Sequence, residues 1–349
     1  MRHKVKLETL SSVHVGSGDK KVRGIDFLDD ENRVYFLNMD KIGNALGVAS
    51  NPHIATEWSD MAMKGRQKEF FKKRGVDYKK LSRPVFNYVE EFSDKAPSIS
   101  MQMRDGRGIA YIPGSSIKGA IRTIIFAQLS KDEAARNRYL SQNDAEKWSK
   151  KFFGDIQADP FRFLLIGDAF FEKANLGVIN TVQIKKDKNN PRAAAIDTIK
   201  QYAEVLLSNN NTCFALTLDD KGLSKAIESK IVSRNIPQFK NIETLFSTIN
   251  AHTRHLVKSE IEKWDNVIDA ETMCDFLSGI LDQINECSPK ECILRMGNAS
   301  GKRFITGGIL ERFNFDRNAV PKTRRIEIVE DGGEEFYDLL GFVKLTIED

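Results

Sequence analysis

IPGSSIKGAIRT, residues 112–123, sets a proline, two glycines and two serines at the head of an apolar helical run. Ile117, Ile121, Ile124 and Ile125 recur at helical spacing, and Lys118 and Arg122 lie one turn apart on another face. Ser115 or Ser116 is expected to supply the N-cap hydroxyl. Helix starts favour acids because the dipole is positive there, yet this one begins with two cations. An anion from outside would resolve the mismatch. Free first-turn amides, a Gly119 backbone open to close approach, and the donors of Lys118 and Arg122 together suit a phosphate.

Two further glycine-rich loops share these features: HVGSGD at 14–19 and GNASGKRFITGG at 297–308. The first follows residues 2–9, where Arg2, Lys4, Lys6 and Glu8 alternate with Val5 and Leu7 as in a half-buried strand. The third follows the apolar stretch ECILRMG and carries Lys302 and Arg303. Successive N–H groups in such loops form anion-binding concavities. None of the three is a GxxxxGK[ST] phosphate loop, so no nucleotide fingerprint is present.

The chain has 349 residues, a net charge of +4 and 41% hydrophobic residues, which suggests two globular domains. FLLIGDAFF (163–171) is too short and polar to span a bilayer, and the N-terminus lacks a signal-peptide core, so a cytoplasmic protein without a membrane partner is expected. The four cysteines form no CxxC pair and read as free thiols. Basic clusters occur at 72–80, 185–192 and 321–325, the last containing Lys322, Arg324 and Arg325. Residues 24–37 read as a hairpin, 41–82 as a helical insertion, and ISMQM and IAYI as strands around a turn at RDGRG. Residues 132–154 read as helix, FRFLLIGDAFFE and INTVQIKK as strands, and TCFALTLDD as a strand. Helices follow at 242–264 and about 268–285 before a closing strand in YDLLGFVKLTIED. Short strands with helices on one side give an α+β fold, with tandem domains at 1–205 and 206–349 and a second helical segment at about 240–285.

HVGSG after the first strand, the IPGSSIKGAIRT helix start and the late glycine-rich loop, in this order, resemble the RAMP superfamily of CRISPR-associated proteins. DPFRFLLIGDAFF (159–171), LRMGNASGKRF, PKTRR and LGFVKL resemble the type III-A cap subunits within it. The resemblance implies two ferredoxin-like (RRM-like) domains with helical insertions. It also implies a non-catalytic subunit, without cofactor or metal, that binds the 3′ region of crRNA in a ribonucleoprotein. Its partners would be crRNA, target RNA, the repeated backbone subunit and other subunits, and host nucleases that trim the guide. Carried over by position, the RNA-binding residues are His14, Gly16, Ser17 and Gly18; Ser115, Ser116, Lys118, Gly119 and Arg122; Gly297, Ser300, Gly301, Lys302 and Arg303; and Lys322, Arg324 and Arg325. Tyr111 and Phe304 are candidates for stacking on unpaired bases.

An RNA endonuclease of the same superfamily is the alternative, with Asp26 or His14 as the catalytic group. GID at 24–26 resembles the surroundings of a catalytic aspartate in the backbone subunit, but continues into a hairpin strand. His14 stands in a glycine loop with no second histidine placed beside it. His252 and His255 share a helix without further metal ligands, and Asp155, Asp159 and Asp168 lack a paired spacing.

Overall fold

The computed structural model describes residues 2–348 apart from 31, 90–91, 93–96, 131–149, 191, 198, 233–234, 269, 306, 308–323 and 332–333. Val5 and Leu7 of the first strand, Arg2–Thr9, are fully buried, whereas Lys4, Lys6 and Glu8 point the other way. This strand pairs antiparallel with Asn211–Leu218 on one side and Phe342–Glu348 on the other. Leu164–Ile166 and Glu291–Arg295 complete a five-stranded antiparallel sheet at its two edges.

Two helices, Gly114–Leu129 and Ile242–Trp264, cover the face that receives Val5 and Leu7. Ile117, Ile121 and Ile125 of one and Leu245, Phe246 and Ile249 of the other pack there with Phe214, Leu216, Val343 and Leu345. Strand, helix, two strands, helix and strand follow in chain order, with the fourth, first, third and second strands side by side. That is the ferredoxin-like arrangement, extended by Glu291–Arg295. The α+β expectation is met.

A second, mixed sheet runs Gly16–Val22, Ser98–Gln102, Gln201–Leu206, Leu176–Lys186, Ser82–Asn87, Arg33–Leu37 and Phe27–Asp30. The hairpin Arg324–Asp331 with Glu334–Asp338 adds to Leu176–Lys186. The 205/206 boundary falls between Gln201–Leu206 of this sheet and Asn211–Leu218 of the other. The first sheet takes strands from both sides of it.

The insertion forms three helices, Met39–Leu46, His53–Met63 and Gln67–Lys73, around a small core of Ile42, Leu46, Ile54, Phe70 and Phe71. Its basic run is matched by acids: Lys73 and Arg74 pair with Glu57, and Lys79 with Asp30. Most of the helix expected at 132–154 lies outside the described residues.

FRFLLIGDAFFE, expected as one strand, is two. Leu164–Ile166 stays in the five-stranded sheet, while Ala169–Phe171 pairs with Ala110–Ile112 in a separate ribbon. The break falls at Gly167-Asp168, because the backbone of Gly114 packs against this turn. A Cβ on Gly114 would sit 2.2 Å from the Ile166 carbonyl oxygen, so only glycine fits. Gly119, five residues on, has nothing within 4 Å of its Cβ position. Gly114→Ala is expected to cost about 1–3 kcal/mol through backbone displacement. Gly119→Ala is expected to gain about 0.5–1 kcal/mol of helix stability. Urea denaturation midpoints separate the two.

Candidate nucleic-acid interface

The helix Gly114–Leu129 starts two or three residues earlier than a serine N-cap would set it. Pro113, at φ −59°, precedes it, and neither Ser115 nor Ser116 makes a side-chain cap. The missing acid comes from elsewhere in the chain: Gly114 N donates to Asp168 Oδ1 at 2.7 Å. Asp168 sits on the turn that Gly114 packs against, so close approach and capping have one cause. Part of the expected anion is therefore internal. The exposed Ser115 and Gly119 and the half-buried Lys118 face outward around this start.

Arg122 is engaged within the protein. Its Nη1 donates to Asp159 Oδ2 at 2.5 Å, and its guanidinium lies over the rings of Phe153 and Phe161. Lys118 stands beside this pair. Burial lowers its pKa and the charge of Arg122 adds to that, while Asp159 opposes them. No carboxylate among the described residues lies within ion-pairing distance of its ammonium.

The three glycine-rich loops meet. The His14 carbonyl accepts from Asn298 N at 2.8 Å, and a Cβ on Gly297 would lie 2.6 Å from that same oxygen. At φ +82° Gly297 also needs a conformation that favours glycine. Gln102, almost fully buried, bridges the other two loops. Its Oε1 accepts from Val15 N at 2.9 Å, and its Nε2 donates to Tyr111 O at 3.2 Å, just ahead of the helix start. No sequence motif singles out Gln102; it lies in ISMQM, among residues read as plain strand.

Within the first loop, Gly16 and Gly18 are exposed, and Ser17 Oγ accepts from Asp19 N at 3.2 Å. The segment is a strand, Gly16–Val22, with an irregular register between Gly16 and Lys20 against Ser98–Gln102. His14 is 2% exposed, and its Nδ1 lies 2.7 Å from the Glu204 carbonyl. A carbonyl only accepts, so Nδ1 carries the proton of the neutral ring. Burial lowers the His14 pKa, against the opposing effects of that hydrogen bond and of the Glu204 charge.

Arg303 of the third loop and Arg324 beyond it are occupied inside the protein. Glu260, buried, accepts from Arg324 Nε at 2.6 Å and Nη2 at 3.0 Å, and pairs with Arg303 Nε at 3.2 Å. Burial raises the Glu260 pKa, but Arg324 and Arg303 outweigh it and hold the carboxylate ionised. Arg295, which no sequence motif marks, is buried, and that burial lowers its pKa to about 9. Its Nε donates to Leu340 O and its Nη2 to Ala299 O, and its guanidinium lies over Phe304 and Phe342, so it fixes the loop from beneath. Phe304 is thus a packing residue. Ser300 Oγ donates to Gly297 O at 2.9 Å, and Gly301 turns at φ +77°. Arg325 Nη1 reaches Thr181 O. Lys322 and the side chain of Lys302 lie outside the described residues.

Tyr111 stacks on Phe170 across the small ribbon, rings 5.1 Å apart and 24° from parallel, and the Phe170 ring is partly exposed. Asp26 closes a tight turn: its Oδ2 accepts from Val22 N at 2.9 Å, with Lys21 Nζ 3.6 Å from Oδ1. His252 is buried and His255, nearly one turn on, is exposed. Among the described residues, no group of three His, Cys, Asp or Glu side chains is placed to hold a metal, and no helix is long and apolar enough to cross a membrane.

A model of the RAMP superfamily matches residues 6–341. The chain belongs to the RAMP superfamily. The CRISPR system Cms protein Csm5 of Enterococcus italicus is 27% identical over 168 residues, 40% of this chain and 47% of that protein. The protein of the same name from Streptococcus thermophilus is 26% identical over 136 residues, 35% and 37% of the two chains. The matched stretch thus spans about half or less of these curated relatives. This RAMP chain shares its fold with a chain of a Csm–crRNA–target RNA ternary complex of the type III-A system, at TM-score 0.69 and 17% identity over the whole of both. The T. onnurineus Csm5 crystal structure gives TM-score 0.68 and 18% identity over 97% and 99% of the two chains.

Unfolded His14 takes up a proton below about 6.5, whereas the buried ring does so only at lower pH. Stability from this group is therefore complete above pH 6.5 and falls as pH drops below it. Guanidinium unfolding from pH 7.5 to 5.5 is expected to show a loss that His14→Asn flattens.

Proposed function

We propose that this chain is the crRNA-binding cap subunit of a type III-A CRISPR ribonucleoprotein. It holds the 3′ region of the guide, supports maturation of the crRNA 3′ end and supports target RNA binding, without catalysing cleavage itself. Its partners are crRNA, target RNA and the other subunits, above all the repeated backbone subunit, with host nucleases doing the trimming. The observation that carries the reading is the convergence of the three RAMP glycine loops on one rim through His14 and Gln102. The relatives named Csm5 and the fold shared with a chain of the type III-A ternary complex support it.

The rim suits a sugar-phosphate backbone followed without reading sequence. Exposed glycines let the backbone approach closely, and the exposed Ser115 and half-buried Lys118 supply donors. Lys118 is the cation of the quoted helix best placed to meet a phosphate, because Arg122 is held by Asp159. The endonuclease alternative finds Asp26 on turn amides and His14 sealed beneath the loop.

Binding of unstructured RNA, measured by fluorescence anisotropy across a salt series, tests this. Lys118→Ala is expected to reduce the slope of log K against log salt by about one phosphate contact. Arg122→Ala is expected to lower thermal stability by about 1 kcal/mol, with little change in that slope. Absence of salt-dependent RNA binding by the wild-type protein would refute the reading. Specific cleavage of guide precursor or target RNA that is lost in Asp26→Ala would restore the enzyme alternative.

A further inference from the structure

Beneath the first glycine loop lies a charge cluster that no sequence motif marks. The Glu204 side chain has no solvent exposure, and its Oε1 accepts from Arg83 Nη1 at 2.6 Å and Arg104 Nη2 at 2.7 Å. Its Oε2 is buried without a hydrogen bond, as is Arg104 Nε. Two guanidiniums share one carboxylate, which leaves one positive charge over. Burial and Arg104 both act against the charge on Arg83, and Glu204 is the carboxylate that favours it. The Arg83 guanidinium rests on the Phe36 ring at 4.6 Å, and its side chain is 37% exposed, so the surplus charge can be reached from solvent.

The cluster is tied to the loop at two points. The backbone carbonyl of Glu204 holds His14 Nδ1, and Met103 N, next to Arg104, donates to Val15 O. Arg104 Nη1 also donates to Gly108 O, which fixes the plane of its fork.

We infer that Arg83 is a phosphate seat that takes one phosphodiester group of RNA, with Glu204 holding its fork in place and the internally bonded Arg104 making the carboxylate's charge insufficient for both. The inference rests on the RNA-binding reading and adds to it a site and its charge. A phosphodiester carries a single negative charge, which matches the surplus, and its paired oxygens match a guanidinium fork.

Anisotropy with unstructured RNA across a salt series, using the full chain, tests the seat. Arg83→Gln is expected to weaken binding about tenfold and to reduce the salt slope by about one. Arg83→Lys keeps the charge but not the fork, and is expected to retain the slope while losing about threefold in affinity. An unchanged slope and affinity in Arg83→Gln would overturn the seat and leave a purely structural ion triad. The same result with lost assembly onto protein subunits would assign the surplus charge to an acidic protein partner instead. A second arm needs no RNA. Tripolyphosphate is expected to raise the melting temperature of the wild type and of Arg83→Lys, but not of Arg83→Gln; no rise in the wild type would count against the seat. RNA binding that fails in the wild type would sink the broader function, whereas a tripolyphosphate response that does not depend on Arg83 would sink only the seat.

Discussion

The pairing of Arg2–Thr9 with both Asn211–Leu218 and Phe342–Glu348 constrains everything around it. Glu291–Arg295 runs antiparallel to Phe342–Glu348 and so runs in the same direction as the first strand. The loops leaving these two like-directed strands, at 10–16 and 296–301, must then emerge at the same end of the sheet. The helix that crosses over from the first strand to the second begins at that end too, which brings IPGSSIKG to the same rim. Three segments separated by hundreds of residues become neighbours because of strand direction, and two polar contacts, His14 with Asn298 and Gln102 with its two backbone partners, fix their spacing.

Charge is distributed differently from what the net value of +4 suggests. Arg122, Arg303 and Arg324 are answered by Asp159 and Glu260, and the basic run of the helical insertion by Glu57 and Asp30. Arg122 and Arg324 also stack on aromatic faces, the environment in which a guanidinium outperforms an ammonium. Among the described residues, Ser115, the half-buried Lys118 and the exposed Gly16, Gly18 and Gly119 remain at the rim.

The alternation in residues 2–9, the isoleucine spacing of 117–125 and the stripe of 242–264 were legible because each follows the period of its own backbone. The glycine loops were legible as places of close backbone approach, which Gly114 and Gly297 require. What the sequence could not show was which charges pair. Asp168 as the external cap, Asp159 on Arg122 and Glu260 on Arg303 and Arg324 all depend on tertiary neighbours 37 to 64 residues away. Arg295 and Gln102 were hidden for the same reason, since each lies inside an ordinary strand pattern and acts through its side chain on a distant loop. The split of FRFLLIGDAFFE followed from one steric fact, the lack of room for a Cβ at Gly114.

The register of the first sheet also dictates an order of assembly. Thr9 lies opposite Val343, and Glu8 opposite Asn211 and Lys344. Closing such wide loops is entropically costly, and contacts of this separation form late. During synthesis the first strand emerges long before the strands that complete its hydrogen bonding on either side. One edge of the strand stays bare until residues 211–218 leave the ribosome, and the other until residues 342–348 do. The alternating lysines of that strand, Lys4 and Lys6, have a second use in this interval: they keep an unpaired edge soluble and discourage it from adding to another nascent chain.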